Sequence, residues 1–327
     1  MNPETILRIK DLVVSFTIEG KRVKAVDRAG FELHRGETLG IVGESGCGKS
    51  VTALSVMGLL PIPAGTIESG TIEFMGEDLL KLPRSAMQAI RGKRISMIFQ
   101  EPMTALNPVH KVGKQIKEVY QLHFSDFSNG RMVKESAAML AKVGIADPEK
   151  VLNTYPHQLS GGMRQRVMIA MALAAKPEIL IADEPTTALD VTVQAQILDL
   201  IKSLQKEMSM AVILITHDLG VIAENCDHAV VMYGGQVAET APVKELFANP
   251  CHPYTQGLLS SIPGLSGMPK SILPTIRGMV PSLEDMPQGC RFSTRCPVVF
   301  EPCNLAPPQM FKQGGGHFAA CYNLEER

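Results

Sequence analysis

Two short stretches hold the residue types that nucleotide chemistry needs. The first is Gly43-Glu44-Ser45-Gly46-Cys47-Gly48-Lys49-Ser50, which fits the pattern G-x-x-x-x-G-K-[ST] without adjustment. Glycines at these positions let backbone N–H groups turn inward around the β- and γ-phosphates. The start of a helix adds positive potential from its dipole. Lys49 brings a point charge to the phosphates, the Ser50 hydroxyl can ligate Mg²⁺, and Val51 completes the nucleotide-binding stretch. Cys47 has no task in this chemistry and reads as a small tolerated residue.

The second stretch, Ile179-Leu180-Ile181-Ala182, is apolar and ends in Asp183, Glu184 and Pro185. A carboxylate at a strand's C-terminal end, here Asp183, can hold Mg²⁺ through water. Glu184, one residue further, can act as general base on an attacking water. Alone the pair could be a solvated acidic turn. Beside the glycine-rich loop it implies hydrolysis of a nucleoside triphosphate.

The elements that must position these groups can also be read. Thr38–Val42 is a strand-like apolar run before the loop, and residues 50–60 are helix-compatible and stop at Pro61. Residues 6–100 carry further strand-like runs and turn signals. Residues 101–160 are richer in helix formers, notably 132–143, and read as an inserted helical piece. Residues 161–247 return to helices alternating with short branched apolar runs, such as Val212-Ile213-Leu214-Ile215, which suit buried strands of a parallel sheet. Past Asn249 lie 11 of the 22 prolines, a density that blocks long helices and central strands and predicts a loop-rich extension.

Other residues choose among nucleotide hydrolases with such a loop. Leu159-Ser160-Gly161-Gly162-Met163, followed by a helix-compatible run, resembles the LSGGQ signature of ABC ATPases, with Met163 in place of the usual Gln. Ser160, Gly161 and Gly162 supply the phosphate contacts in that motif. The resemblance spans residues 6–247 with every motif in order. It implies a Q-loop at Gln100 that senses the γ-phosphate and Mg²⁺, and a D-loop at Ala188-Leu189-Asp190 crossing a dimer interface. It also implies a γ-phosphate switch at His217 and adenine stacking on Phe16. The expected fold is an α/β P-loop NTPase core of the ABC type with an antiparallel β subdomain. Residues 1–248 form the nucleotide-binding domain, with a helical subdomain at about 101–175.

The extension at 249–327 resembles the C-terminal region of bacterial dipeptide/oligopeptide/nickel importer ATPases, through Asn249-Pro250-Cys251-His252-Pro253 and the cysteines at 290, 296, 303 and 321. The stretch Gln100–Pro108 fits the same subfamily. That resemblance alone implies peptide cargo, with nickel or a haem precursor as alternatives. It also implies as partners two integral-membrane permeases, a second ATPase subunit that is a paralogue, and indirectly an extracytoplasmic solute-binding protein. The setting would be peripheral, on the cytoplasmic face of the bacterial inner membrane. Cys290, Cys296, Cys303 and Cys321 are spaced C-x5-C-x6-C-x17-C. Four thiolates could hold a [4Fe-4S] cluster or zinc, or remain free or partly paired. The wide irregular spacing suits a cluster better than the tight pairs zinc prefers.

Composition argues against two other classes. Lys+Arg total 32 against 33 Asp+Glu, a net charge of −1, so no global basic field calls for nucleic acid. No apolar run reaches the 18 or so residues of a membrane span. The N-terminus has early charges and no apolar core of a secretory signal. A soluble ABC ATPase acting on nucleic acid, or a redox or metal sensor with an ATPase engine, stands as the rival reading.

Overall fold

The computed structural model describes residues 4–100, 105–187, 189–262 and 275–324. Residues 101–104 after Gln100, Ala188 of the expected D-loop and the first part of the tail segment at 263–274 lie outside them. The chain forms two compact units, one from residues 1–81 with 214–327 and one from residues 82–213.

The first unit opens with two long strands, β1 (Thr5–Ile18) and β2 (Lys21–His34). They are joined by Glu19-Gly20, both with positive φ (48° and 79°). Two such residues make the tight turn whose twist matches a hairpin. After the turn at Gly36 comes β3 (Thr38–Val42), buried at every position, and then α1 (Lys49–Val56). β4 (Gly65–Phe74) and β5 (Glu77–Asp78) complete an antiparallel sheet of order β2-β1-β4-β5. β1 pairs with β2 and β4; β2 buries every second residue from Ala29 to Leu33, as one covered sheet face requires, whereas β1 is buried at four successive positions, Leu12 to Ser15.

α1 is shorter than the sequence suggested. Gly58 sits at φ 60°, its N–H bonds to Ser55 O, and the Leu59 N–H bonds to Leu54 O. This is a left-handed glycine cap that ends the helix before Pro61 can.

In the second unit, α2 (Arg84–Ile90) precedes β6 (Ile95–Ile98). A helical section follows, with α3 (Val112–His123), α4 (Asn129–Lys142) and α5 (Pro148–Leu152). α4 covers most of the helix read at 132–143. Next come α6 (Gly161–Leu173), β7 (Ile179–Asp183) and α7 (Val191–Met208). β6 and β7 run parallel, Ile95 opposite Ile179 through Ile98 opposite Ala182. Both are wholly buried, which explains their unbroken apolar runs. β8 (Ala211–Thr216), also wholly buried, returns the chain to the first unit.

There, α8 (Leu219–Asn225) leads into β9 (His228–Tyr233), which pairs in parallel with β3. β10 (Gln236–Pro242) turns back on β9 through Gly234-Gly235. α9 (Val243–Ala248) follows, and the tail then contributes α10 (Pro253–Ser260) and α11 (Glu301–Leu305). It ends in a hairpin of β11 (Phe311–Gly314) and β12 (His317–Ala319), with β12 paired to β10. The proline-rich tail is thus loop-rich but carries short elements. Its Tyr254, Leu259 and Phe292 share one buried cluster with Val42, Val231 and Tyr233. Among the described residues no helix is long and apolar enough to cross a membrane.

Candidate nucleotide-binding and hydrolysis site

In the first unit the glycine-rich loop bridges β3 and α1. Gly43 has no room for a side chain: a Cβ would lie 2.1 Å from Met232 O and 2.7 Å from Cys47 Sγ. Gly46 and Gly48 adopt φ 79° and 99°, where L side chains are strained. A Cβ at Gly48 would also meet Ala25 O at 2.7 Å. Gly48 N-caps α1 and, lacking a side chain, makes no cap bond of its own, so the helix start suits an anion. Ser45 and Gly46 are exposed, while Ser50 and Val51 are half-buried at the helix start.

Lys49 is buried and curls over the loop. Its ammonium donates to Gly43 O (2.7 Å) and Glu44 O (3.2 Å). Cys47 is buried beneath the loop, and burial pushes its thiol up despite the pull of Lys49. It stays a neutral thiol, consistent with a packing role.

Two tail residues reach this loop. Tyr254, 0% exposed, accepts the Glu44 N–H at its hydroxyl (2.9 Å). Arg295 grips the Glu44 carboxylate with both guanidinium arms, at 2.6 and 3.1 Å. The sequence reading missed both. A loop pattern leaves its second position open, and these residues lie 210 and 251 positions away with no periodic signal.

Phe16 is half-buried on β1 opposite Gly65, where a Cβ would come within 3.2 Å of its ring. His217 stands exposed at the C-terminal end of β8. Asp218 follows it and caps α8, accepting from the Gly220 and Val221 N–H groups.

In the second unit, Asp183 ends β7 and is buried. Glu184 takes φ 45°, a left-handed conformation that costs a non-glycine residue about 1 kcal/mol or more. Its carboxylate accepts from Gln100 Nε2 (3.0 Å) and from the Thr187 hydroxyl (2.9 Å). The structure therefore joins two predicted residues, Gln100 and Glu184, and adds Thr187, which sequence reasoning passed over. A carboxylate held by two neutral donors at a strand end can orient and deprotonate a water.

The expected signature forms an exposed helix start. Ser160 N-caps α6, accepting the Met163 N–H at 3.3 Å. Ser160 and Gly161 are exposed and Gly162 half-buried. Gly162 abuts α7, since a Cβ would lie 3.3 Å from Val193. Asp190 N-caps α7 by accepting the Val193 N–H at 2.9 Å. The buried Gln165 of α6 donates to Pro185 O, tying the signature helix to the turn that carries Glu184.

In the tail, Cys290, Cys296, Cys303 and Cys321 line one cavity, together with His252 and Phe292. None is in a disulfide. Burial pushes the Cys290 thiol up to about 11 and raises Cys296 and Cys321 as well. Among the described residues, no three of these sulfurs come within 4.8 Å of one another. Tetrahedral zinc would need sulfurs about 3.8 Å apart.

A different trio does meet that limit, namely Glu239, Cys251 and His317. Glu239 is fully buried, and its oxygens already accept the Cys251 N–H (2.7 Å), the His252 N–H (2.9 Å) and His317 Nε2–H (2.6 Å). Hydrogen bonds account for this carboxylate, which pins the tail to β10.

Comparison with known proteins agrees with this geometry. Residues 26–187 match the family described as ABC transporter. Residues 238–303 match the one described as oligopeptide/dipeptide transporter, C-terminal region. A probable peptide ABC transporter ATP-binding protein of Sinorhizobium fredii is 50% identical over 99% of this chain and 97% of its own length. The oligopeptide transport ATP-binding protein OppD of Bacillus subtilis is 50% identical over 98% of this chain and 89% of its own. Among solved structures, a dimeric bacterial ABC transporter cassette aligns with TM-score 0.64 at 27% identity, covering 72% of this chain and 98% of its own. Likeness of this degree along the whole length means that the chain belongs to the ATP-binding proteins of ABC transporters, in the branch bearing the oligopeptide/dipeptide transporter C-terminal region.

Proposed function

We propose that this chain binds ATP with Mg²⁺ and hydrolyses it to energise import of dipeptides or oligopeptides. The observation that carries the cargo class is the near-complete coverage, tail included, by relatives named for peptide, oligopeptide and dipeptide transport. In this reading the loop Gly43–Ser50 grips the triphosphate while Ser50, Gln100 and Asp183 hold Mg²⁺. Phe16 stacks on adenine. Glu184, steadied by Gln100 and Thr187, takes a proton from the water that attacks the γ-phosphorus, and His217 contacts the γ-phosphate. The Ser160–Gly162 helix start and Asp190 serve the ATP held by a second ATPase subunit, read as a paralogue. Two membrane permeases complete the transporter, and the chain docks on them peripherally from the cytoplasmic side.

Glu184→Gln tests this. In the assembled transporter it should remove ATP turnover at least 100-fold while ATP still binds, and peptide uptake should stop. Turnover within tenfold of wild type would overturn the roles assigned.

The four tail cysteines are read as ligands of a [4Fe-4S] cluster. What supports this is their convergence on one cavity as free thiols, with no three sulfurs drawn within 4.8 Å of one another. A bound cluster would cross-link a segment that has little apolar core of its own. Anaerobic purification should yield about four iron per chain. Stoichiometric zinc without iron would end the cluster reading.

A further inference from the structure

Arg295 lies in the cysteine-rich tail, outside every nucleotide-binding motif. Its side chain is nevertheless only 5% exposed, and its planar fork meets the Glu44 carboxylate in two parallel bonds. Paired bonds of this kind fix both distance and orientation. Arg295 also lies near the Tyr233 ring (5.8 Å to the centroid) and contacts its hydroxyl. Tyr233 packs edge-on against Tyr254 and Phe292, which tilt against each other, with centroids 4.7 to 5.4 Å apart. A few residues earlier, Arg291 binds Asp27 (2.9 Å) and Gly234 O. The next residue, Gly235, donates its N–H to Cys47 O (3.0 Å). One tail segment thus braces the phosphate loop at Glu44 and at Cys47.

Glu44 is a demanding residue in that loop. Its own carbonyl already touches the Lys49 ammonium at 3.2 Å. A carboxylate on the same residue, if released, could turn to that ammonium and repel an incoming triphosphate. Arg295 neutralises the carboxylate and holds it away.

We propose that Arg295 is a positioning residue for nucleotide binding, through which the C-terminal extension neutralises Glu44 and keeps Lys49 available to the triphosphate. This rests on the reading that the loop Gly43–Ser50 binds ATP.

The test is a double-substitution cycle on the assembled transporter, measuring KM for ATP and kcat separately. Arg295→Ala should raise KM about three- to tenfold, the scale of one unpaired charge at a partly solvated site, with kcat within twofold. In the Glu44→Gln background the same substitution should change KM less than twofold, since no carboxylate remains to be released. Arg295→Met, which keeps the side-chain stem beside Tyr233, serves if the alanine variant does not assemble. An equal rise in KM in both backgrounds would reduce Arg295 to a structural tie and overturn the proposal. So would an unchanged KM with Glu44 present, or a fall in kcat alone. Lys49→Ala is the control for the underlying reading: if it leaves KM and kcat unchanged, the ATP site lies elsewhere, and that failure is distinct from failure of the cycle.

Discussion

Glu239 offers a sharp test of how the tail is fastened. It is 0% exposed, and three donors converge on it: two backbone N–H groups and the His317 imidazole. Replacing it with Ala leaves all three buried donors without an acceptor. Each unsatisfied donor costs about 1–3 kcal/mol, and relaxation recovers part of the sum. A net loss of about 3–5 kcal/mol follows from the three orphaned donors. Glu239→Gln keeps one acceptor oxygen but turns an NH₂ toward a donor, so it should lose a similar amount. Thermal unfolding of the full chain should shift down by about 4–7 °C. Limited proteolysis should cut first near residues 311–319, where β12 leaves β10. Added Zn²⁺ should leave wild type unmoved, because hydrogen bonds already occupy the carboxylate. A shift below about 2 °C for both variants, or strong stabilisation of wild type by zinc, would refute this account.

Three further outcomes are expected. Gly43→Ala should abolish nucleotide binding, measured by a fluorescent ATP analogue, because its methyl would stand 2.1 Å from Met232 O; binding within threefold of wild type would contradict the geometry. Tyr254→Phe should cost about 1–2 kcal/mol in denaturant unfolding by leaving the Glu44 N–H without its acceptor, and an unchanged midpoint would count against that bond. Burial holds the His252 imidazole down at about 4, while the Ala320 backbone pulls the other way. The unfolded chain therefore binds this proton first, near pH 6.5, so His252 should weaken the fold as pH falls from about 6.5 to 4, by up to about 1.4 kcal/mol per unit. His252→Gln should remove that part of the slope, and identical pH–stability curves for the two proteins would sink the assignment.

The glycine-rich loop and its flanks were readable because the role proposed for them is local. A strand, three glycines, a lysine and a hydroxyl must follow one another within a few residues. β3, β7 and β8 were readable for a related reason, since burial on both faces leaves an unbroken apolar run. Thr187, Tyr254 and Arg295 were not. Thr187 follows Glu184 by three residues, a spacing that by itself means nothing until a turn folds its hydroxyl back. Arg295 and Tyr254 act across more than 200 residues, from a segment whose prolines suppress any period. Glu239 carries no signal of its own in the sequence, and only the β12 hairpin and the chain at Cys251 bury it.

The first unit is assembled from both ends of the chain. β3 pairs in parallel with β9, Leu39 beside His228, so the strand that aims the phosphate loop waits for a neighbour made 189 residues later. During synthesis, β3 and its loop leave the ribosome well before that neighbour exists. Pairings so distant in sequence close slowly, and meanwhile an apolar strand edge stays open to other chains. Nascent protein should therefore lean on chaperones until the C-terminal third has been made, and stalled translation products should be prone to aggregate.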